Sequence, residues 1–486
     1  MGTKSFFRKI KNNVTPDVAS AFANNVWSIA KGPVTMVFIL LFLSDVVQGY
    51  WYTFISLAAL STFADLGFTI IVGQFSAHEY AHLKINENGL LEGDKEHLER
   101  IISLFRFILK WAVVVLIVAF PIIGGAGIAA LNVPGSNPEE IMLIKEWIVP
   151  WLLYILCSGL NFFASIILSF FEGCNQIGKI QRNRLIGSIV STLVTWVLLF
   201  LKPSLYVLAI SAALGVVVNF ALLFWRFHKL LKQLLKQKIE GQYKWFKSFM
   251  SLIWKYALSW VSGYFIFQIY TPLAKMRFGA VAAGQVGITI TLIQACFAIA
   301  NVWVFVATPK LNMAASKGDW RGMDDLFKKN TLLSIATYLF GALCIVGGYL
   351  LFINPPADVY LLNKISELLH RFLGILPMCF LLGAYLLQVP INSVATYGRA
   401  HKYEPFMVPS IINAVIVFGI TMLCVFTLSV DYIFIGILGA NVVLVFVALW
   451  MYKKRKNFWH ERYAKKYLQK EPQQSETVLK DGNENK

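Results

Sequence analysis

Two histidines and a glutamate stand at the spacing of a zinc hydrolase motif. The stretch His78-Glu79-Tyr80-Ala81-His82 matches HExxH, which on a helix places both histidines on one face as zinc ligands and leaves the glutamate as a general base. An intramembrane metalloprotease also needs a third ligand, and no later apolar segment holds an Asp or Glu at depth. We therefore expect no metal site, and proteolysis remains a minor alternative.

A second stretch comes close to a phosphate-binding loop. Residues 173–179 read GCNQIGK, but Ile180 stands where the hydroxyl for magnesium is needed, and an apolar segment precedes the stretch where a strand is required. We expect no nucleotide site and no cofactor. The six cysteines have no paired spacing that suits zinc or redox chemistry; they are Cys157, Cys174, Cys296, Cys344, Cys379 and Cys424.

Charges inside apolar segments are the strongest functional signal. A lysine at mid-span costs about 2.5–3.5 kcal/mol on insertion scales, so it usually faces a cavity or a partner. Lys31, followed by the helix-breaking pair Gly32-Pro33, is such a residue, and Lys255 lies in the equivalent segment of the other half of the chain. Asp65 is the carboxylate well inside a span, where it either neutralises Lys31 or carries a coupling ion.

Polar amides form a second group of candidates. Such side chains suit sugar hydroxyls, but membrane helices also use them to hydrogen-bond to one another. The candidates are Gln268, Gln294, Asn301 and Gln388. Lys275 and Arg277 lie at the outer end of their segment, although basic residues are expected mainly on the cytoplasmic side. We interpret them as an outer rim.

The composition indicates that these residues are positioned by membrane helices. Of the 486 residues, 57% are hydrophobic and 14% charged, whereas soluble proteins average about 45–50% apolar and 25% charged. About 20 apolar residues span a bilayer. Twelve windows of that kind lie near 22–43, 49–76, 105–130, 147–171, 185–201, 204–225, 251–273, 282–308, 330–353, 368–392, 406–428 and 432–452.

We interpret the net charge of +18 as a sign of membrane topology. Basic residues concentrate in alternate loops, which places both chain termini in the cytoplasm and favours contact with anionic membrane lipid, not nucleic acid. We expect a cytoplasmic amphipathic lead-in at 1–21, a basic cytoplasmic linker at 226–250, and a cytoplasmic tail at 453–486 that is first basic and then disordered.

The two halves of the chain repeat in the same order and orientation. Similar segments recur with small shifts in spacing, as in transporters built from parallel repeats. We therefore predict an all-α polytopic membrane protein with about 12 transmembrane helices in two parallel six-helix bundles, 22–225 and 251–452, around a central cavity. The matched pairs are Gly49 with Gly284, Gly93-Asp94 with Gly318-Asp319, and Gly178-Lys179 with Gly398-Arg399.

Several segments resemble the polysaccharide flippases of the multidrug/oligosaccharidyl-lipid/polysaccharide exporter superfamily. The stretches are SDVVQGYWYTFISL, FADLGF, FEGCNQIGK, GAVAAGQVG and ATPKLNMAASKGDW, and the resemblance spans residues 20 to 455. In particular, the chain looks like the bacterial flippases of O-antigen or capsule repeat units, which resemble a V-shaped pair of bundles.

The resemblance implies a transporter and not an enzyme. It would move undecaprenyl-diphosphate-linked oligosaccharide from the cytoplasmic to the outer leaflet of the bacterial inner membrane by alternating access, for polysaccharide biosynthesis. Lys31 and Lys255 would then meet the diphosphate. Polysaccharide polymerase and assembly proteins are further candidate partners.

The main alternative is an ion-coupled antiporter of the multidrug and toxic compound extrusion type. It has the same twelve-helix plan but is expected to use intramembrane carboxylates, of which Asp65 alone qualifies. A lipid scramblase is a lesser alternative.

Overall fold

The computed structural model describes residues 16–135, 140–241, 243–354, 360–401 and 406–465. Most of the predicted lead-in and the end of the predicted tail lie outside these ranges. The chain divides into two compact units, Met1–Ile288 and Thr289–Lys486. The predicted bundle boundary at 226–250 lies earlier in the chain and stays a prediction.

The first unit is a helical bundle with one small hairpin. Strands β1 (Leu83–Ile85) and β2 (Leu91–Gly93) pair antiparallel. The helices are α1 (Pro16–Phe42), α2 (Asp45–Ala58), α3 (Ser61–Asp65), α4 (Phe68–Tyr80), α5 (Lys95–Asn132), α6 (Ile144–Gly173), α7 (Ile177–Leu201), α8 (Tyr206–Lys236), α9 (Trp245–Phe267), α10 (Tyr270–Phe278) and the start of α11 (Ala280–Lys317).

The second unit contains the remainder of α11 and the helices that follow it. These are α12 (Trp320–Ile353), α13 (Tyr360–Leu369), α14 (Ile375–Ala400), α15 (Met407–Thr427) and α16 (Ile435–Tyr463), with a 3-10 turn at Val430–Tyr432 before α16. Its core includes aromatic side chains such as Phe327, Tyr397 and Trp459.

The helices have the length and hydropathy of membrane spans. Ten of those described meet both criteria, and the number is eleven if the bent pair formed by residues 45–65 and α4 counts as one. That pair turns by 42° at Leu66 and Gly67, which both adopt left-handed backbone angles. The predicted all-α membrane fold is confirmed. The predicted span at 251–273 corresponds to α9 and α10.

Two of the three repeated pairs occupy equivalent positions. Gly93 and Gly318 both have positive φ, and each is followed by an aspartate that caps the next helix. The Asp94 carboxylate accepts from the His97 N–H at 3.2 Å, and the Asp319 carboxylate accepts from the Gly322 N–H at 2.9 Å. Both caps satisfy a backbone donor that the helix leaves open.

The paired glycines Gly49 and Gly284 also have similar surroundings. They pack against each other at the crossing of α2 with the start of α11, where a Cβ on Gly284 would lie 3.1 Å from the Gly49 nitrogen. The third pair is not equivalent, because Gly178 lies in the first turn of α7 whereas Gly398 lies in the last turn of α14.

The fifth residue after each capping aspartate is acidic. Its carboxylate binds a later part of the same unit. In the first unit Glu99 accepts from the Gly241 N–H at 3.0 Å, beyond the end of α8. In the second unit Asp324 accepts from the Tyr397 hydroxyl at 2.8 Å and also binds the Lys456 amine of α16. The predicted cytoplasmic end of each unit is therefore held by partly buried polar contacts as well as by apolar packing.

A close approach between α5 and α6 sets the orientation of α6. Gly127 packs against the indole of Trp151, whose Nε1 donates to the Gly124 carbonyl at 3.0 Å. A Cβ at Gly127 would lie 2.1 Å from the Trp151 ring, whereas a Cβ at Gly125 would have no heavy atom within 4 Å. Small residues let membrane helices approach in this way.

We predict that Gly127→Ala lowers stability and that Gly125→Ala does not. Overpacking of this kind costs about 1–3 kcal/mol, whereas alanine in an open helical position gains up to about 1 kcal/mol over glycine. The thermal midpoints of the two purified variants in detergent test this. Equal midpoints would show that the α5–α6 contact can relax freely.

Candidate functional site

One face of α6 carries a stripe of polar side chains through the otherwise apolar stretch 147–168. Tyr154, Ser158, Asn161 and Ser165 are spaced by four, three and four residues, so they lie one above another on the same face. Two cavities of the first unit share all four residues as lining. We call these four residues the α6 stripe.

The larger cavity, of about 420 Å³, contains Lys31 and is called here the Lys31 compartment. Its other polar groups come from α1, α7 and α8 and are mainly hydroxyls and amides. Beside the α6 stripe, they include Asn24, Ser28, Arg184, Ser188, Ser191 and Asn219.

Lys31 is placed by a row of hydrogen bonds between α1 and α7. Its amine donates to the Ser188 hydroxyl at 2.9 Å, and one turn later the Trp196 indole donates to Thr35 at 2.9 Å. The helix is continuous through Pro33, so the expected break at Gly32-Pro33 does not occur. Within the described ranges no carboxylate lies within 4 Å of the Lys31 amine.

Arg184 adds a second cation to the same compartment. Its guanidinium lies 3.4 Å from the Glu172 carboxylate, which also accepts from Gln181 at 3.0 Å. Gln181 in turn accepts from Asn24, also at 3.0 Å. Glu172 therefore compensates part of the Arg184 charge, whereas Lys31 is met by a neutral hydroxyl.

The smaller cavity, of about 370 Å³, contains Asp65 and is called here the Asp65 compartment. The two carboxylate oxygens of Asp65 accept from the backbone N–H and the hydroxyl of Thr69, at 3.1 and 3.0 Å. These bonds cap the start of α4 after the bend. No described cation lies within 4 Å of Asp65, so it does not pair with Lys31 in this structure.

Three of the four predicted sugar contacts join helices in the second unit. Gln294 donates to the Tyr385 hydroxyl at 2.9 Å, joining α11 to α14. Asn301 accepts from Asn392 at 2.9 Å. Gln388 lies 3.3 Å from the Asn441 amide of α16.

The fourth predicted sugar contact, Gln268, ends α9 in the first unit. Its backbone carbonyl accepts from the Ser56 hydroxyl. In this structure all four residues therefore contribute to contacts between helices.

The predicted outer rim divides into a buried and an exposed residue. The Lys275 side chain is 2% exposed, and its amine donates to the carbonyls of Leu131 and Val133 at the end of α5. Lys275 therefore caps a helix and does not present its charge on a rim. Arg277 is exposed. Lys255 lies in α9, but its side chain lies outside the described part of the chain.

The HExxH stretch forms a structural cluster at the end of α4. The Glu79 carboxylate, 1% exposed, lies 2.8 Å from His97 Nδ1 and 3.1 Å from Arg100. The His82 ring stacks on His97 with centroids 4.0 Å apart. Among the described residues no three His, Cys, Asp or Glu side chains are grouped to hold a metal ion. Glu79 thus joins α4 to α5.

Sequence reasoning missed the α6 stripe and Arg184. The stripe could have been found from its helical spacing within an apolar segment. Arg184 follows other basic residues after the fourth span, and it therefore resembled part of a loop. Its position in the second turn of α7 brings it to the Lys31 compartment.

No protein-family model matches the chain, and no curated protein matches it. Solved structures do match. An inward-facing multidrug resistance MATE family transporter of the MOP superfamily aligns with a TM-score of 0.52 and 13% identity, covering 89% of this chain and 99% of its own.

Two further structures give similar alignments. The lipid II flippase MurJ, in an inward closed conformation, has a TM-score of 0.53 and 13% identity, covering 93% of this chain and 90% of its own. A MOP superfamily transporter from Pyrococcus furiosus has a TM-score of 0.50 and 12% identity, covering 93% and 96%. At these identities the likeness concerns the fold. The chain has the fold of the MOP superfamily transporters.

Proposed function

We propose that the chain is a flippase for lipid-linked oligosaccharides. It moves undecaprenyl-diphosphate-linked repeat units from the cytoplasmic to the outer leaflet of the bacterial inner membrane by alternating access, for polysaccharide biosynthesis. Lys31 contacts the diphosphate, and Lys255 of α9 is proposed as a second contact.

The observation that carries this proposal is the environment of Lys31. A cation within a membrane span is costly unless it is paired or hydrated. Lys31 donates to a neutral hydroxyl, and no described carboxylate lies within 4 Å. An anionic substrate group entering the Lys31 compartment supplies the missing charge.

The other groups of the compartment suit the same ligand. Arg184 and several amides and hydroxyls add donors, and phosphate oxygens accept strong hydrogen bonds from charged donors. Export of an anion is also favoured by an inside-negative potential, by about 2.3 kcal/mol per charge at 100 mV. A flippase of this kind lowers a barrier and does not need to hydrolyse ATP.

Replacing Lys31 tests this role. We expect Lys31→Ala to slow flipping at least tenfold, because a hydrogen bond to a charged group contributes about 1.5–3 kcal/mol, and Lys31→Arg to retain most of the activity. The assay uses proteoliposomes that contain a fluorescent polyprenyl-diphosphate oligosaccharide and follows its exposure to an impermeant quencher.

Lys110→Ala is the matched control for this experiment. Lys110 is an exposed lysine within the apolar part of α5 and lines neither compartment. Its variant should flip at the wild-type rate. Wild-type flipping by a normally inserted Lys31→Ala protein would show that Lys31 does not hold the diphosphate.

A cation-coupled antiporter is the second candidate function, and Asp65 favours it. Its carboxylate lines a cavity and has no described cation within 4 Å. An acidic side chain in such a position is typical of proton and ion pathways in membrane transporters. This function requires transport of a cationic compound against a proton or sodium gradient.

Dye efflux separates the two functions. For a flippase we expect wild-type proteoliposomes to show no gradient-driven efflux of a cationic dye, because the Lys31 compartment repels cations. Asp65→Asn should then change nothing in this assay. Efflux that follows an imposed pH or sodium gradient and disappears in Asp65→Asn would instead establish the antiporter.

A further inference from the structure

The residues that line the Asp65 compartment do not suit a diphosphate. None of the described residues that line it is basic, and Asp65 is its charged side chain. A doubly charged anion would be repelled there. A neutral group rich in hydroxyls fits the compartment better.

One wall of the compartment is an indole with an open face. Trp260 of α9 lines the cavity and is 38% exposed, and no described aromatic ring stacks on it. An indole combines a broad apolar face with a polar N–H. That combination suits the C–H face of a pyranose ring, whose hydroxyls point outward at its edge.

Other residues that line the compartment offer hydrogen-bonding groups for those hydroxyls. A carboxylate has about four acceptor sites, and Thr69 occupies two of those on Asp65. The Thr62 hydroxyl is buried and has no hydrogen-bond partner among the described residues. Asn161 of the α6 stripe adds an amide that can donate and accept.

The α6 stripe borders both this compartment and the Lys31 compartment. All four of its residues line both cavities, so a ligand that lies along the stripe would have a cationic compartment beside one part and an acidic compartment beside another. A glycosyl diphosphate has the matching order, because a charged diphosphate is joined directly to a neutral sugar.

We propose that the Asp65 compartment is a carbohydrate subsite. It holds a pyranose of the substrate against Trp260, with hydroxyls bound by Asp65, Thr62 and Asn161. This inference rests on the proposed function and assigns sugar recognition to residues of the first unit. The sugar then contributes to selection between a glycosylated and a bare lipid diphosphate.

Binding to the purified full chain tests the subsite. The probes are farnesyl diphosphate and its glucosyl, galactosyl and N-acetylglucosaminyl esters, titrated calorimetrically. We expect the wild type to bind at least one ester about tenfold more tightly than farnesyl diphosphate. Trp260→Ala should remove that preference, and Trp260→Phe should keep part of it because an aromatic face remains.

Trp254→Ala is the matched control. Trp254 is an exposed tryptophan on the same helix and lines neither compartment. The Trp254→Ala variant should keep the full preference for the glycosyl ester over farnesyl diphosphate. Equal wild-type affinity for all four probes, or an equal loss in Trp254→Ala and Trp260→Ala, would overturn the subsite.

The same titrations separate this inference from the proposed function. If Lys31→Ala weakens all four probes alike and Trp260→Ala has no selective effect, the diphosphate site stands and the subsite is wrong. If Trp260→Ala removes the preference while Lys31→Ala changes nothing, the subsite stands and the diphosphate role is wrong. Cationic dye binding that is lost in Asp65→Asn would identify the compartment as a cation site instead.

Discussion

A polar side chain within a membrane span must find a partner or face a cavity, because hydrocarbon offers no hydrogen bonds. The two units meet this constraint in different ways. In the second unit, Gln294 and Asn301 bind polar groups of α14. In the first unit, the α6 stripe lines two cavities. The candidate site therefore lies where polar groups remain available to a ligand.

The packing of the first unit holds these groups in place. The α5–α6 contact at Gly127 and Trp151 orients α6, and a row of hydrogen bonds holds α1 beside α7. Aromatic packing also makes α9 part of this unit, since Phe249 lies 5.0 Å from Phe68 between ring centroids. Trp260 and Asp65 thus belong to one compact body, although they are far apart in the chain.

Much of the fold was predictable, because long apolar segments have few other stable solutions in a membrane. The glycine and aspartate pairs at 93–94 and 318–319 were also recognised correctly as equivalent, since a helix cap has a strong local signal. Pairing with Lys31, one of the two roles expected for Asp65, does not occur in the structure. Lys31 donates instead to Ser188 of the neighbouring helix α7, and Asp65 accepts from Thr69 four residues later in the chain.

The sequence by itself determined the class of protein and the residues that carry charge into the spans, because composition and helical length are properties of single segments. Only the tertiary structure decided which polar side chains hydrogen-bond to a neighbouring helix and which line a cavity. Gln388 and Asn161 look alike in the sequence, as amides in apolar helices. One lies beside Asn441 and the other faces both compartments, because a side chain's partners depend on the helices packed around it.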